Sequence, residues 1–493
     1  MTLLALLLSS LIPGVVIFLL PEDRHTLRTV LNLAGALAKV ALVAVLIRDY
    51  LDGQTEELRA DLLPGVPLVL RVDELAILFV SLSAVLWLLT TIYAIGYLEG
   101  APFRSRFFGF FSLCVTATVG VALAGNLITL LVFYEALTLA TYPLVVHRGT
   151  PAALAAGRVY LVYTLGGGTV LLGAIVWLDT VAGQVEFRHG GALDAVAEGD
   201  RAALTAIFAL LVAGFGVKAA LVPLHGWLAR AMVAPAPVSA LLHAVAVVKA
   251  GAFGVLRVVE DVYGLELAAS LNVLTPLAIA AAVTIVYGSL RAIAQDDLKR
   301  RLAYSTVSQV SYILLGAALL APLAAVGALA HLVHQGVMKI TLFFAAGVLA
   351  ETLGIHRVSE MSGVGRRAPW TMAAFTVAAL GMIGLPPTAG FVSKWYIGRG
   401  AVDAGQDWAL VVLAGSGVLN AVYFLPILYA AWFGRQKGPW PAERPRGRAE
   451  APLALLVPTL ITGAVTLAAG LLAGVALSPT AIAEDLAPRV DGP

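Results

Sequence analysis

The sequence predicts an all-α polytopic membrane protein with about fourteen transmembrane helices, and three observations carry that prediction. Of the 493 residues, 60% are hydrophobic and only 13% are charged, against roughly 25% charged in soluble domains. The mean hydropathy is +0.91. Apolar stretches of about 20 residues, the length one bilayer crossing needs, recur from end to end. A net charge of +2 is too small to suggest a nucleic-acid partner. The single cysteine, Cys114, cannot hold an iron–sulfur cluster or an internal disulfide. Any electron chemistry therefore belongs to a partner, and no cofactor is expected in this chain.

Residues 1–20 lack a basic n-region and a clear small-residue cleavage site, so they read as a first span rather than a removable signal. Spans at 29–47 and 76–97 follow. Between them, the run LLPGVPLVLRVD suits short strands on the outer surface. The remaining spans fall at 107–124, 127–146, 159–182, 202–228, 238–258, 271–293, 305–320, 323–350, 370–398, 408–433 and 453–475. Connections after odd-numbered spans hold more than twice the lysines and arginines found after even-numbered ones and in the tail, residues 476–493. By the positive-inside rule the odd connections are cytoplasmic and both termini are outside. The strongest markers are Lys299-Arg300-Arg301 and the proline-rich loop 435–448.

Chemistry concentrates between Gly214 and Arg257. Lys218 and Lys249 sit in membrane-grade apolar runs, and between them lie Pro223, His225, the turn APAP and His243. A charge at the bilayer centre costs at least about 2.5 kcal/mol and normally faces a partner or water. Glu135 and five intramembrane lysines together imply roughly 15 kcal/mol on that scale, which points to an ion path. Lys218 is the best candidate for a switching proton carrier, paired with Glu135 on span five; a static ion pair that fixes helix packing is the competing reading. Lys249 is the next station, and its central position argues against snorkelling. His243 lies six residues earlier, and a histidine, whose ordinary pKa is near neutrality, suits a relay through water. His225, beside the break, is as apt to satisfy backbone carbonyls.

Span eleven carries His331, Gln335 and Lys339 at four-residue intervals, one polar stripe with His334 beside it. A metal site is the weaker reading, because the two histidines have no cysteine or clear carboxylate nearby. Lys394 is the terminal carrier. Lys39 stands apart, and a structural or subunit-contact role suits it as well as transport. Gly166-Gly167-Gly168 suits close helix packing.

The hexapeptide AGFGVK (213–218) is echoed by AGFVSK (389–394), each with proline nearby. The copies lie five spans apart and so run in opposite directions, as in inverted-topology repeats with interrupted helices.

The runs Pro223–Lys249, Asp296–Gln309 and Leu385–Lys394 resemble the antiporter-like subunits shared by Mrp-type cation/proton antiporters, respiratory complex I and membrane-bound hydrogenases. Within that family the resemblance is greatest to the Mrp D subunit, and it covers nearly the whole chain. It implies fourteen core helices, with helices 1–3 in residues 1–106, two inverted five-helix repeats in 107–259 and 271–433, and a last helix at 453–475. Helices 7 and 12 are expected to be broken. It also implies functional roles for Glu135, Lys218, Lys249, Lys339 and Lys394, other integral membrane subunits as partners, and protons with a monovalent cation as cargo. Two positions depart from the family pattern: Ala229 stands where proline is usual, and Gln335 where a second histidine is common. A redox-driven proton pump and a non-conducting scaffold are the alternative readings.

Overall fold

The computed structural model describes residues 1–193, 200–436, 438–443, 449–475 and 478–486. Part of the basic loop, Lys437 and residues 444–448, and much of the tail 476–493 lie outside the described residues.

In chain order the elements are α1 (Thr2–Leu19), α2 (His25–Leu51), β1 (Glu57–Leu63), β2 (Val66–Arg71), α3 (Glu74–Tyr97), α4 (Arg104–Ala122), α5 (Leu127–Val145), α6 (Pro151–Ala182) and α7 (Arg201–Ala219). They continue with α8 (Ala236–Ala244), α9 (Val247–Arg257), α10 (Leu265–Ser270), α11 (Leu274–Ile293), α12 (Leu298–Ala318), α13 (Pro322–Leu353) and α14 (Val364–Arg367). The last are α15 (Pro369–Ile383), α16 (Ala389–Asp403), α17 (Trp408–Phe433), α18 (Leu453–Leu471) and α19 (Pro479–Leu486). Local chemistry sets several starts: the Asn126 side chain accepts from the Thr129 amide, Thr150 caps α6 ahead of Pro151, and Asp297 accepts from the Arg300 amide.

The chain is an all-α polytopic membrane protein. Among the described residues, 12 segments are long and apolar enough to cross a bilayer. Two of the fourteen expected spans are not among them. α12 opens with Lys299, Arg300 and Arg301 and carries serine, threonine, glutamine and tyrosine through its middle, and the segment expected at 370–398 is split into α15 and α16, of 15 residues each. The strands expected near the start of the chain form an antiparallel hairpin, Glu57 opposite Arg71.

Three interruptions shape the candidate site. The segment expected at 202–228 is helical only to Ala219; Ala220 turns left-handed at φ 60, and the next α-helix begins at Ala236. The segment expected at 238–258 is two helices, parted at Ala246, so His243 and Lys249 do not share one continuous helix. Between α15 and α16 the chain passes through Gly384, at φ 95, and Pro386-Pro387.

Two compact units are resolved: residues 1–88, 101–227 and 245–278 in one, and 89–100, 228–244 and 279–493 in the other. In the first, α4 packs on α1 and α5, and α7 on α6 and α9. In the second, the long, deeply buried α13 packs on α8, α12, α15, α16 and α18.

Connections of like parity meet. In the first unit Arg71 bonds Glu186 at 2.6 Å, Asn126 bonds the Pro67 carbonyl at 2.9 Å, and the Ala192 amide bonds Val262 at 2.9 Å. Glu22 accepts from the amides of Arg104 and Ser105, both at 2.9 Å. In the second unit the Leu298 amide bonds His356 at 2.9 Å, and that of Ala442 bonds Leu353 at 3.1 Å. This grouping is what helices crossing alternately require.

Candidate functional site

In the first unit the site is built on α5, α6, α7 and α9. Lys218 lies in the last turn of α7, fully buried, where the negative end of the helix dipole favours a cation. Its ammonium donates to the carbonyl of Tyr134 and lies 3.2 Å from the centre of that ring. The Tyr134 hydroxyl donates in turn to the carbonyl of Gly214, at 3.3 Å.

Glu135 and Lys218, expected as a pair whose contact or separation sets the lysine's proton affinity, make no hydrogen bond to each other among the described residues. Neither Glu135 oxygen has a hydrogen-bond partner among the described residues. Successive side chains on a helix diverge by about 100°, and Glu135 turns toward α6. There a Cβ on Gly168 would stand 2.6 Å from the carboxylate carbon. The glycine run read as a packing feature therefore also makes room for this acid.

Lys249 is fully buried in the first turn of α9, and its Nζ has no hydrogen-bond partner among the described residues. Two residues on, a Cβ at Gly251 would lie 2.7 Å from the Lys218 carbonyl carbon, so α9 presses against the broken end of α7. His225 is half-buried in the turn after that break, which Trp227 ties back to the Val217 carbonyl at 2.8 Å. Lys39 donates to the Leu6 carbonyl and to Ser10 Oγ, both at 2.8 Å, and lies 5.3 Å from the Trp87 ring centre. Those contacts are a fixed anchorage between α1, α2 and α3.

In the second unit His243 is fully buried and stacks on Phe343, ring centres 4.6 Å apart. His331, His334, Gln335 and Lys339 are all buried on α13. His331 Nδ1 is 2.8 Å from Ser393 Oγ. Lys339 donates to Ser305 Oγ at 2.7 Å and to the Leu302 carbonyl at 3.1 Å. Lys394, on α16, reaches back across the break to the carbonyls of Met382 (2.7 Å) and Ile383 (3.2 Å), and lies 4.7 Å from the Tyr312 ring centre.

The two lysines of the repeated hexapeptide therefore stand on opposite sides of their breaks. Lys218 closes the helix before its break, and Lys394 belongs to the helix after its own. The six-residue match does not give them equivalent places.

Sequence reasoning missed what joins Lys339 to Lys394. The Ser305 and Tyr423 hydroxyls are 2.8 Å apart, Tyr423 meets Asn420, and Asn420 donates to the Met382 carbonyl at 3.2 Å. Gln309 donates to the same carbonyl at 3.1 Å, and Tyr312 meets Ser416. The signal was present: Ser305, Gln309 and Tyr312 on α12, and Ser416, Asn420 and Tyr423 on α17, each repeat at helical spacing. The two polar stripes face each other antiparallel.

Buried lysines held at helix interruptions within a polytopic bundle define an antiporter-like, proton-translocating class of membrane subunit. The chain belongs to the NADH:quinone oxidoreductase/Mrp antiporter membrane family, whose profile matches residues 124–420. Residues 65–108 match the N-terminal region of complex I chain 5. It is 38% identical to the N subunit of the NADH-quinone oxidoreductase of Desulforudis audaxviator, over 83% of this chain and 82% of that one. It is 28% identical to the D subunit of the Na(+)/H(+) antiporter of Bacillus subtilis, over 82% of this chain and 80% of that one. Among solved structures it resembles a chain of the Mrp complex from Dietzia sp. DQ12-45-1b, with TM-score 0.85 and 25% identity over 98% of this chain and 96% of that one.

Proposed function

We propose that this chain is the proton-translocating subunit of a multisubunit monovalent cation (Na+)/proton antiporter, working among other integral membrane subunits. The observation that carries the reading is the hydrogen-bonded connection from Lys339 through Ser305, Tyr423 and Asn420 to the carbonyl that holds Lys394. Protons load Lys218 or Lys249, with Glu135 tuning the loading step. They pass by His243, His331, His334 and Lys339, and leave by Lys394. The carbonyl and amide in the connection hold the lysines in place, and protons move by lysine and hydroxyl rotation and by water. Fourteen crossings in two inverted five-helix sets, with both termini outside the cell membrane, complete the reading; the basic odd-numbered connections support that orientation.

The test is proton flux in vesicles holding the purified complex under an imposed sodium gradient. Sodium-driven flux that Lys218→Ala abolishes is the expected result. A second reading, a redox-driven proton pump, is favoured by the greater identity to the quinone oxidoreductase subunit, 38% against 28%. Flux that requires an electron donor and ignores sodium would establish that reading instead.

A further inference from the structure

Met382 and Ile383 are the last residues but one and the last of α15. Because the helix stops at Gly384, their carbonyls lie among those with no amide a turn further on to accept from. Into the Met382 oxygen point three donors: Lys394 Nζ at 2.7 Å, Gln309 Nε2 at 3.1 Å and Asn420 Nδ2 at 3.2 Å. A carbonyl oxygen has two lone pairs, so this one is oversubscribed. Gln309 is fully buried, and its Oε1 has no hydrogen-bond partner among the described residues. A half-turn of that amide exchanges Nε2 for Oε1 at the Met382 hub. The neighbouring turn, Leu385 to Pro387, is exposed, and Lys394 itself is half-buried.

An ammonium seated among carbonyl oxygens has the charge and approximate size of a dehydrated alkali cation. Backbone carbonyls at helix breaks are a recurrent way to replace such an ion's hydration shell. From this we propose that the carbonyl oxygens of Met382 and Ile383, with Gln309 Oε1, form a binding site for a monovalent alkali cation that alternates with the Lys394 ammonium.

The exchange balances. The Lys394 ammonium gives one proton to water, its N–H hydrogen bonds to the two carbonyls break, and the neutral amine withdraws. One cation enters, and the same oxygens take it up as ion–dipole ligands. The charge in the site is +1 before and after. No carboxylate is among these ligands, so two positive charges a few ångströms apart would repel strongly, and the site admits one at a time. Competition for one cradle is itself a coupling device. This deepens the antiporter reading and rests on it for its physiological meaning.

Cation binding is measured without a gradient, so the result stands apart from any failure of antiport in vesicles. The full chain in lipid nanodiscs is titrated with sodium chloride or potassium chloride, with choline chloride holding ionic strength constant. Thermal midpoint and proton release in weak buffer are followed at pH 6 and pH 9. For wild type, at least one alkali ion is expected to raise the midpoint more at pH 9 than at pH 6, releasing up to one proton per ion bound. Lys394→Ala should bind with no pH dependence and no proton release. Lys394→Arg, which keeps its charge throughout this range, should not bind. Gln309→Leu should weaken binding about tenfold while the protein stays folded. Equal behaviour of choline, sodium and potassium in wild type at both pH values would overturn the proposal. So would proton release that persists in Lys394→Ala.

Discussion

The Lys218 ammonium is anchored on the main chain and ring of Tyr134, the residue that precedes Glu135. A carbonyl cannot be protonated or titrated away, so the anchorage holds whatever the state of Glu135. The Glu135 carboxylate, buried and without a hydrogen bond among the described residues, is left to act on Lys218 through space. Glu135→Gln is therefore expected to leave the fold intact and lower proton flux about tenfold, a change on the order of 1 kcal/mol in the barrier. Lys218→Ala should abolish flux. The check is flux in vesicles alongside the thermal midpoint of each variant. Wild-type flux in Glu135→Gln would remove the acid from the mechanism.

Gly168→Ala separates packing from function. The added methyl would fall 2.6 Å from the carboxylate carbon of Glu135, so the acid must move. Alanine favours a helix interior by about 1 kcal/mol over glycine, which offsets part of the strain. The expected outcome is a thermal midpoint within a few degrees of wild type and flux reduced like that of Glu135→Gln. The double variant should lose no more than either single one, because both act through the same carboxylate. Additive losses in flux would place Gly168 in helix packing alone.

Tyr423→Phe tests the connection in the second unit. The lost hydroxyl is fully buried and faces Ser305 and Asn420, so its removal leaves polar groups unpaired at about 1–3 kcal/mol. Lower stability is expected together with slowed flux. In a double-mutant cycle, Ser305→Ala and Tyr423→Phe should couple by more than about 0.5 kcal/mol, as members of one network do. Independent effects would mean that Lys339 does not feel Tyr423.

The membrane class, the hairpin and the helix breaks near Pro223 and Pro386 were legible because each has a local cause: span length, alternating apolar residues, and proline. The buried lysines were legible because charge in an apolar run is costly. What stayed hidden depended on direction. The sequence put Glu135 and Lys218 in one neighbourhood, but which way residue 135 turns from residue 134 is set by the packing of α6. Likewise the hexapeptide match could not say on which side of a break each lysine falls. The stripes of Ser305, Gln309 and Tyr312 and of Ser416, Asn420 and Tyr423 obey the same spacing rule as His331 and Lys339. They were overlooked because uncharged polar residues cost too little in an apolar run to stand out.

The hairpin offers a pH test away from the buried lysines. Partial burial alone raises the carboxyls of Glu57 and Glu186, but hydrogen bonds and charge from Arg59 and Arg71 outweigh it and hold both below the ordinary 4.5. Groups depressed on folding contribute stability that is present above their unfolded value and lost as pH falls through the folded one. Hairpin docking should therefore be complete at pH 7 and weaken below about pH 4.5. Backbone hydrogen exchange across residues 57–71, corrected for its intrinsic pH dependence, reads this directly. Arg71→Gln removes the bonds to Glu57 at 2.7 Å and to Glu186 at 2.6 Å, and should loosen the hairpin already at pH 7. Screening weakens partly exposed pairs, so high salt should reproduce part of the effect. Protection unchanged down to pH 3.5 would mean that backbone and apolar contacts hold the hairpin, with the four charges contributing little.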